Sequence, residues 1–224
     1  MKKLRFAGLP LALSLFLVLT SAFAAGNKET ERIDKAASVL RDFGKMKESI
    51  PHRLIAEYSG IIIVPRMINA GLGIGGKLGH GVAMVKLGDG KWSDPVFVTL
   101  AGGSIGAQIG VQSVDLVLVF RHKGVLTKVK NGDVTIGGDI SAAAGPVGRS
   151  SSANTDYKLE AEVYSYSRSR GLFAGISLNG TSLSIDKKAD ANYYGAGVSS
   201  HDLFETSKSS SSAIRTLKRN LAAL

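Results

Sequence analysis

Two stretches of the chain place hydrophobic residues at helical spacing. Near the N-terminus the apolar positions recur at steps of three and four residues, at Ile33, Ala36, Leu40 and Phe43. This pattern predicts an amphipathic helix from Asn27 to Ser49, and Pro51 can open a short second helix directly after it. The same spacing over residues 209–224 predicts a final helix, whose apolar stripe is formed by Ile214, Leu217 and Leu221.

Between these helices the signals are those of β-structure. The β-branched run 61–64 and the mostly apolar run 114–120 are typical of buried strands, while residues 157–167 alternate between apolar and polar positions. Turn sequences separate such runs, at Gly88-Asp89-Gly90, Asn131-Gly132 and Asn179-Gly180. Helices, then a long antiparallel β region, then a helix predict an α+β fold rather than an alternating βαβ arrangement.

Glycine occupies alternate positions of one predicted strand, in the segment AGLGIGGKLGHG over residues 70–81. One parity holds Gly73, Gly75, Gly79 and Gly81, and the other holds Leu72, Ile74 and Leu78. A strand with one bare face lets another backbone or a bulky side chain lie against it, and lets the sheet coil. AGGSIGAQIG, over residues 101–110, repeats the pattern. The sequence therefore predicts a strongly coiled, barrel-like antiparallel sheet with the two terminal helical regions packed on it.

The glycines also raise two chemical alternatives. Gly71, Gly73 and Gly76 have the spacing of a dinucleotide-binding fingerprint, but more glycines stand where its helix would have to begin. Ser104 lies in a G-x-S-x-G match, the nucleophile elbow of hydrolases, and Asp115 with His122 or His201 follows in hydrolase order. That motif also needs a helix which the following residues do not favour. We therefore expect no catalysis and no cofactor, with a hydrolase based on Ser104 as the enzymatic alternative.

A metal site is not expected either. The four histidines share no ligand spacing, and the chain has no cysteine.

The N-terminus has the pattern of a secretory signal peptide. A basic start is followed by the apolar run 9–19 and by the small-residue cleavage pattern Ala22-Phe23-Ala24. The apolar run is too short to span a membrane. We predict cleavage after Ala24, a single domain over residues 25–224, and a protein that is periplasmic or secreted and associates peripherally with a membrane.

Charge indicates the class of partner. The formal net charge is +10, which favours anionic membrane surfaces or acidic polymers, and export argues against nucleic acid. Each basic residue near an anionic bilayer contributes about 1 kcal/mol to binding. The candidate lipid-binding residues are Arg121, Lys123, Arg168, Arg170, Lys77, Lys128 and Lys187.

Five separate blocks of the sequence closely resemble the SYLF domain. They are IPHRLIAEYSGIIIVPRMINAGLGIGGKLGHGVAMV, WSDPVFVTLAGGSIGAQIGVQSVDLVLVF, GDISAAAGPVGRS, YSYSRSRGLFAGISLNGTSLSID and NYYG. Their order and spacing match from about Ala36 to the C-terminus, as in bacterial exported members built from a signal peptide and this domain. The resemblance implies a coiled, barrel-like sheet with packed helices, non-enzymatic lipid binding, and phosphoinositide-like headgroups as ligands of eukaryotic relatives.

Two functions follow as expectations. The first is a periplasmic, non-enzymatic protein that binds anionic phospholipid headgroups at a membrane surface. The alternative is a structural or interaction protein of the cell envelope, whose curved sheet receives a protein partner or a polymer.

Overall fold

A computed structural model describes residues 28–46, 50–129, 133–145, 161–169, 172–173 and 176–224 of the protein. Helix α1 spans residues 28–45. The remaining helices are α2 His52–Glu57, α3 Gly124–Lys128, α4 Lys187–Tyr194, α5 Ser200–Phe204 and α6 Ser212–Ala222. The strands are β1 Gly60–Val85, β2 Val96–Phe120, β3 Val134–Ile136, β4 Ala142–Ala144, β5 Val163–Ser169, β6 Leu172–Phe173 and β7 Thr181–Ile185. The predicted signal peptide lies outside the described residues, so its cleavage stays a prediction.

The two terminal helices bury the stripes that their spacing predicts. In α1 the four predicted residues are fully buried, and in α6 Ile214, Leu217 and Leu221 are fully buried. All of them belong to one apolar cluster, which also contains Leu54 and Tyr58 from the α2 region. The predicted terminal helices and the short helix after Pro51 are therefore confirmed, with ends that differ by a few residues.

The sheet is built on one very long hairpin. β1 pairs with β2 from Gly60 opposite Phe120 to Ala83 opposite Val96. On its other side β2 pairs with β7 near its start and with β5 near its end. The seven strands form one coiled, barrel-like sheet, so the α+β prediction is confirmed. The antiparallel prediction needs one correction, because β4 pairs with β5 in parallel.

Glycine lets the long strand coil back on itself. A Cβ atom on Gly81 would lie 2.2 Å from the carbonyl oxygen of Ile63, and one on Gly79 would lie 2.5 Å from Val64 Cγ1. The bare face therefore receives other backbone and side-chain atoms, as predicted, and these belong to the start of the same strand. A register shift between Val64 and Met67 adds to the bend, and Arg66 within it has φ of 50°.

Because the hairpin coils, both faces of its ends are buried. Ile61, Ile63 and Met84 face the cluster that includes α1 and α6. Their neighbours Ile62 and Val85 face a second cluster, which includes residues of α3, β3, β7 and α5. This explains why the β-branched run 61–64 carries no polar alternation.

Two of the three predicted hairpins differ in the structure. The Gly88-Asp89-Gly90 turn joins β1 to β2, with Gly90 at φ of 79°. Asn131-Gly132 lies outside the described residues, and the run before it forms α3 instead of a strand. Gly180 does occupy a turn, at φ of 71°, but β7 after it pairs with β2 and β3. Tertiary pairing, rather than the local turn, therefore sets the partners of β7.

Candidate functional site

The motifs that suggested catalysis or nucleotide binding lie inside strands. Ser104 falls within β2, which continues to Phe120, and Gly71, Gly73 and Gly76 fall within β1. Both chemistries require a helix directly after the motif, and neither motif has one.

In the part of the chain that the structure describes, no group of three or more potential ligands could hold a metal ion. None of the described helices combines the length and the apolar character that a bilayer crossing requires.

Three of the predicted basic residues lie close together in the chain. Arg121 and Lys123 follow the end of β2, and Lys128 ends α3. All three are exposed. The nearby carboxylate of Glu162 is engaged by His122, whose Nδ1 lies 2.8 Å from Glu162 Oε2. This basic cluster, defined by Arg121, Lys123 and Lys128, can therefore face an anionic surface.

Arg168 is held by two carboxylates inside the fold. Its Nη2 donates to Asp42 Oδ2 of α1 and to Asp115 Oδ2 of β2, each at 2.8 Å. Its side chain is 15% exposed, and its guanidinium carbon lies 5.7 Å from the centroid of the Phe43 ring. Arg168 thus joins α1 to the sheet.

The other predicted residues have different surroundings. Lys77 is buried in β1, and its Nζ donates to the carbonyl oxygen of Ser177. Burial lowers the pKa of this ammonium. Lys187 is exposed and is the first residue of α4, whereas Arg170 lies outside the described residues. Lys77, Arg168 and Lys187, the other described members of the predicted set, lie on β1, β5 and α4, far in the chain from the basic cluster.

Intramolecular ion pairs use acidic groups and leave cations exposed. Asp94, Asp115 and Asp186 each bind a basic side chain of a distant segment. Several exposed cations form no ion pair among the described residues, namely Arg66, Arg121, Lys123, Lys128, Lys187, Lys188 and Lys208. The positive charge of the sequence is therefore available at the surface.

Sequence analysis missed one feature, an exposed apolar surface on the long hairpin. Ile68, Ile74 and Leu78 of β1 and Val111 of β2 are 41%, 81%, 49% and 76% exposed. We call this surface the outer face. The alternation of residues 70–81 contains its signal, because Ile74 and Leu78 occupy the positions that alternate with the glycines. A cluster of exposed apolar side chains marks an interaction surface more often than scattered ones do.

Comparison with known proteins identifies relatives of this chain. The family model described as "Ysc84: Las17-binding protein actin regulator" matches residues 101–224. SH3 domain-containing YSC84-like protein 1 is 35% identical over 176 residues in both Bos taurus and Homo sapiens, covering 75% of this chain and 51% of each relative. Protein YSC84 of Saccharomyces cerevisiae is 33% identical over 175 residues, covering 74% of this chain and 37% of the relative. The chain thus spans about half the length of the mammalian relatives.

Proposed function

The chain belongs to the Ysc84, or SYLF-domain, family, and from this premise we propose that it binds anionic phospholipid at a membrane surface without catalysing a reaction. The observation that carries the proposal is the set of exposed cations that no carboxylate neutralises among the described residues. A surface of this kind attracts anionic headgroups, and the attraction weakens as salt screens it.

The basic cluster is the centre of the proposed headgroup contact. Arg121, Lys123 and Lys128 are exposed within eight residues of chain, and Lys187 adds a further exposed cation. Arg guanidinium groups bind phosphate oxygens in a bidentate manner, while Lys ammonium groups act as point charges. Arg170 remains in the proposed set. The charged groups of Lys77 and Arg168, by contrast, already donate hydrogen bonds within the protein, to a carbonyl oxygen and to two carboxylates respectively.

Vesicle sedimentation tests this proposal. We expect the protein to sediment with vesicles of phosphatidylglycerol and phosphatidylcholine, not with phosphatidylcholine alone, and to be released by added salt. Arg121→Gln, Lys123→Gln and Lys128→Gln should each weaken binding about fivefold, because each cation contributes about 1 kcal/mol.

Lys91→Gln is the matched control for these variants. Lys91 is also exposed, but its Nζ already pairs with Asp89 Oδ2 at 2.9 Å. Its substitution should leave vesicle binding unchanged. Binding that is independent of both lipid charge and salt would contradict the electrostatic proposal, as would equal losses for Lys91→Gln and Arg121→Gln.

We also propose export to the periplasm or the medium through the N-terminal signal. The support is the sequence pattern of residues 1–24. Mass spectrometry of the protein recovered from a periplasmic extract should give a mature chain that begins at Ala25. Recovery of the full chain in the cytoplasm would exclude this proposal.

A protein partner is the second candidate function. The matching family is described as a Las17-binding protein actin regulator, so protein binding is a property named for its members. For this chain the binding surface would be the curved sheet. Purification under gentle conditions should then retain one stoichiometric protein, without lipid, whereas the lipid proposal requires co-purified phospholipid.

A further inference from the structure

The middle of the long hairpin stands apart from the rest of the sheet. β7 pairs with β2 as far as Gly102, and β5 pairs with β2 from Asp115 onward. Among the described residues, the stretch of β2 between these points pairs with β1 alone. We call this stretch, with residues 99–102 of β2 that also pair with β7 and the opposite residues 67–80 of β1, the central ribbon; it covers residues 99–114 of β2. The exposure of Ile74 and Val111, 81% and 76%, shows that its outer face lacks cover there from the described helices and strands.

The two faces of the central ribbon have opposite surroundings. Met67, Asn69 and Lys77 are buried on the inner face. Ile68 and Leu78 lie on the outer face with Ile74, which is 81% exposed. Residues directly opposite in an antiparallel pair share a face, and the register places Ala70 opposite Val111 and Leu78 opposite Ala101. The outer face thus carries apolar side chains on both strands, and its polar residues, Ser113 opposite Ile68 and Thr99 opposite His80, lie toward its ends.

The charge of the central ribbon favours contact with an anionic surface. Neither residues 67–88 nor residues 96–114 contain an aspartate or a glutamate. Arg66 is exposed at one end of the outer face, and His80 is exposed at the other end, 3.1 Å from the hydroxyl of Thr99. The nearest carboxylate along the chain, Asp115, accepts from Arg168 and from the Arg66 backbone N–H. An apolar strip with the cation Arg66 at one end and no carboxylate along its length matches the boundary between acyl chains and anionic headgroups.

Backbone hydrogen bonding limits how deeply such a ribbon can enter. Among the described strands β1 pairs with β2 alone, so the N–H and C=O groups of its other edge need water. The hydrocarbon interior of a bilayer offers no partner for these groups, whereas the headgroup region does. The ribbon can therefore bury its outer face in the headgroup region, where these backbone groups keep hydrogen-bond partners.

We propose that the outer face of the central ribbon inserts into the interfacial region of an anionic bilayer, with Ile74 and Val111 below the phosphates and Arg66 level with them. This inference rests on the lipid binding proposed above and assigns its apolar contact. It places the insertion in the sheet, whereas electrostatic capture depends on the basic cluster.

Single-cysteine labelling tests the insertion directly, because the natural chain has no cysteine. Ile74→Cys and Val111→Cys would each carry an environment-sensitive nitrobenzoxadiazole label. Val198→Cys serves as the matched control, since Val198 is 38% exposed and lies between α4 and α5. With phosphatidylglycerol vesicles, the labels at 74 and 111 should shift their emission to the blue and be quenched by brominated acyl chains. The label at 198 should keep its aqueous emission.

The outcome separates this inference from the proposed function. If the unlabelled protein does not sediment with the vesicles, the lipid proposal itself fails. If the protein sediments but the labels at 74 and 111 keep their aqueous emission, lipid binding stands and ribbon insertion is overturned.

A charge substitution gives an independent test. Ile74→Asp should weaken vesicle binding about tenfold, because it removes apolar burial and adds an anion at the membrane. Val198→Asp makes the same charge change away from the ribbon, and its vesicle affinity should fall much less. Circular dichroism should show unchanged melting for Ile74→Asp, since Ile74 is 81% exposed. Binding by Ile74→Asp equal to that of Val198→Asp would overturn the insertion. So would a dimer, seen by sedimentation velocity, that Ile74→Asp dissociates without changing vesicle binding.

Discussion

The ammonium of Lys218 in α6 lies 2.7 Å from Oδ1 of Asp94, which lies two residues before the start of β2. The other oxygen of Asp94 accepts from the backbone N–H groups of Lys208 and Ser209, at 3.0 and 2.9 Å. Asp94 is 3% exposed, so one buried carboxylate fixes both the last helix and the segment that leads to it. This arrangement explains how α6 is held against the start of β2.

Removing this carboxylate should destabilise the protein. Asp94→Ala leaves Lys218 and two backbone donors without their acceptor, and the loss of one partner from a buried pair costs about 3 kcal/mol or more. Urea denaturation should show the decrease in the free energy of unfolding. Asp89→Ala removes an exposed aspartate that also pairs with a lysine, and should barely move the midpoint. Equal midpoints for the two variants would refute the role of Asp94.

The coiling of β1 predicts a graded effect of alanine at its glycines. Gly81→Ala places a methyl group 2.2 Å from the Ile63 carbonyl oxygen, where backbone would have to move. Gly79→Ala meets Val64 Cγ1 at 2.5 Å, which the side chain can relieve in part. Gly76→Ala has no described atom closer than 3.9 Å, the carbonyl oxygen of Gly102.

We expect losses of about 3 kcal/mol or more for Gly81→Ala, less for Gly79→Ala and little for Gly76→Ala. Thermal unfolding, monitored by circular dichroism, should rank the three variants by stability in this order. A Gly81→Ala protein as stable as Gly76→Ala would show that the two ends of β1 do not pack as described.

Asp190 gives the protein a pH-dependent stability. It is 2% exposed, and its oxygens accept from the Phe97 N–H and the Ser200 hydroxyl, both at 2.9 Å. Desolvation by burial raises its pKa from 3.8 to about 6, with a smaller contribution from the charge of Asp186. Because the folded-state pKa is the higher one, the folded protein binds the proton more tightly. The stability from this group is therefore present below about pH 4 and is lost as the pH rises to about 6.

Asp190→Asn should remove this dependence while keeping acceptor and donor atoms at the same place. Between pH 4 and pH 7, the stability of the variant relative to the natural protein should rise by about 3 kcal/mol, the equivalent of two pKa units. Urea midpoints at a series of pH values provide the measurement. Asp202→Asn is the control, because it makes the same chemical change at an exposed aspartate. A relative stability that is flat with pH would contradict the raised pKa.

Local periodicity was sufficient to predict the terminal helices, because their stripes contain the residues that the core buries. It could not give the lengths of β1 and β2, since glycine usually interrupts a strand. Here glycines face one another across the hairpin, at Gly71 opposite Gly110 and Gly76 opposite Gly103. Only their cross-strand pairing shows that both strands continue.

Tertiary contacts account for the remaining differences between the structure that the sequence predicts and the observed one. The β-branched run that suggested a strand before Asn131 forms α3, and its Leu126 packs over Gly60, where a Cβ would lie 2.9 Å from Leu126 Cδ1. The partner of Arg168 could not be foreseen either, because Asp42 is 126 residues away in the chain. The sequence could identify candidate basic residues, but it could not show which of them pair with carboxylates in the folded protein.

That distinction predicts opposite behaviour for two arginines. Arg168→Gln removes the donor shared by Asp42 and Asp115 and should lower the free energy of unfolding by about 2 kcal/mol. Arg121→Gln changes an exposed cation that forms no ion pair among the described residues, so stability should stay nearly constant.

The two variants should rank in the opposite order when the loss of vesicle affinity is compared instead of the loss of stability. Arg121→Gln should bind phosphatidylglycerol vesicles about fivefold more weakly, whereas folded Arg168→Gln should bind as the natural protein does. The measurements are urea denaturation and sedimentation with vesicles on the same preparations, at a temperature where both variants are folded. If Arg168→Gln instead lost vesicle binding without losing stability, Arg168 would be a headgroup ligand. Its pairing with the two carboxylates would then have to open when the protein meets lipid.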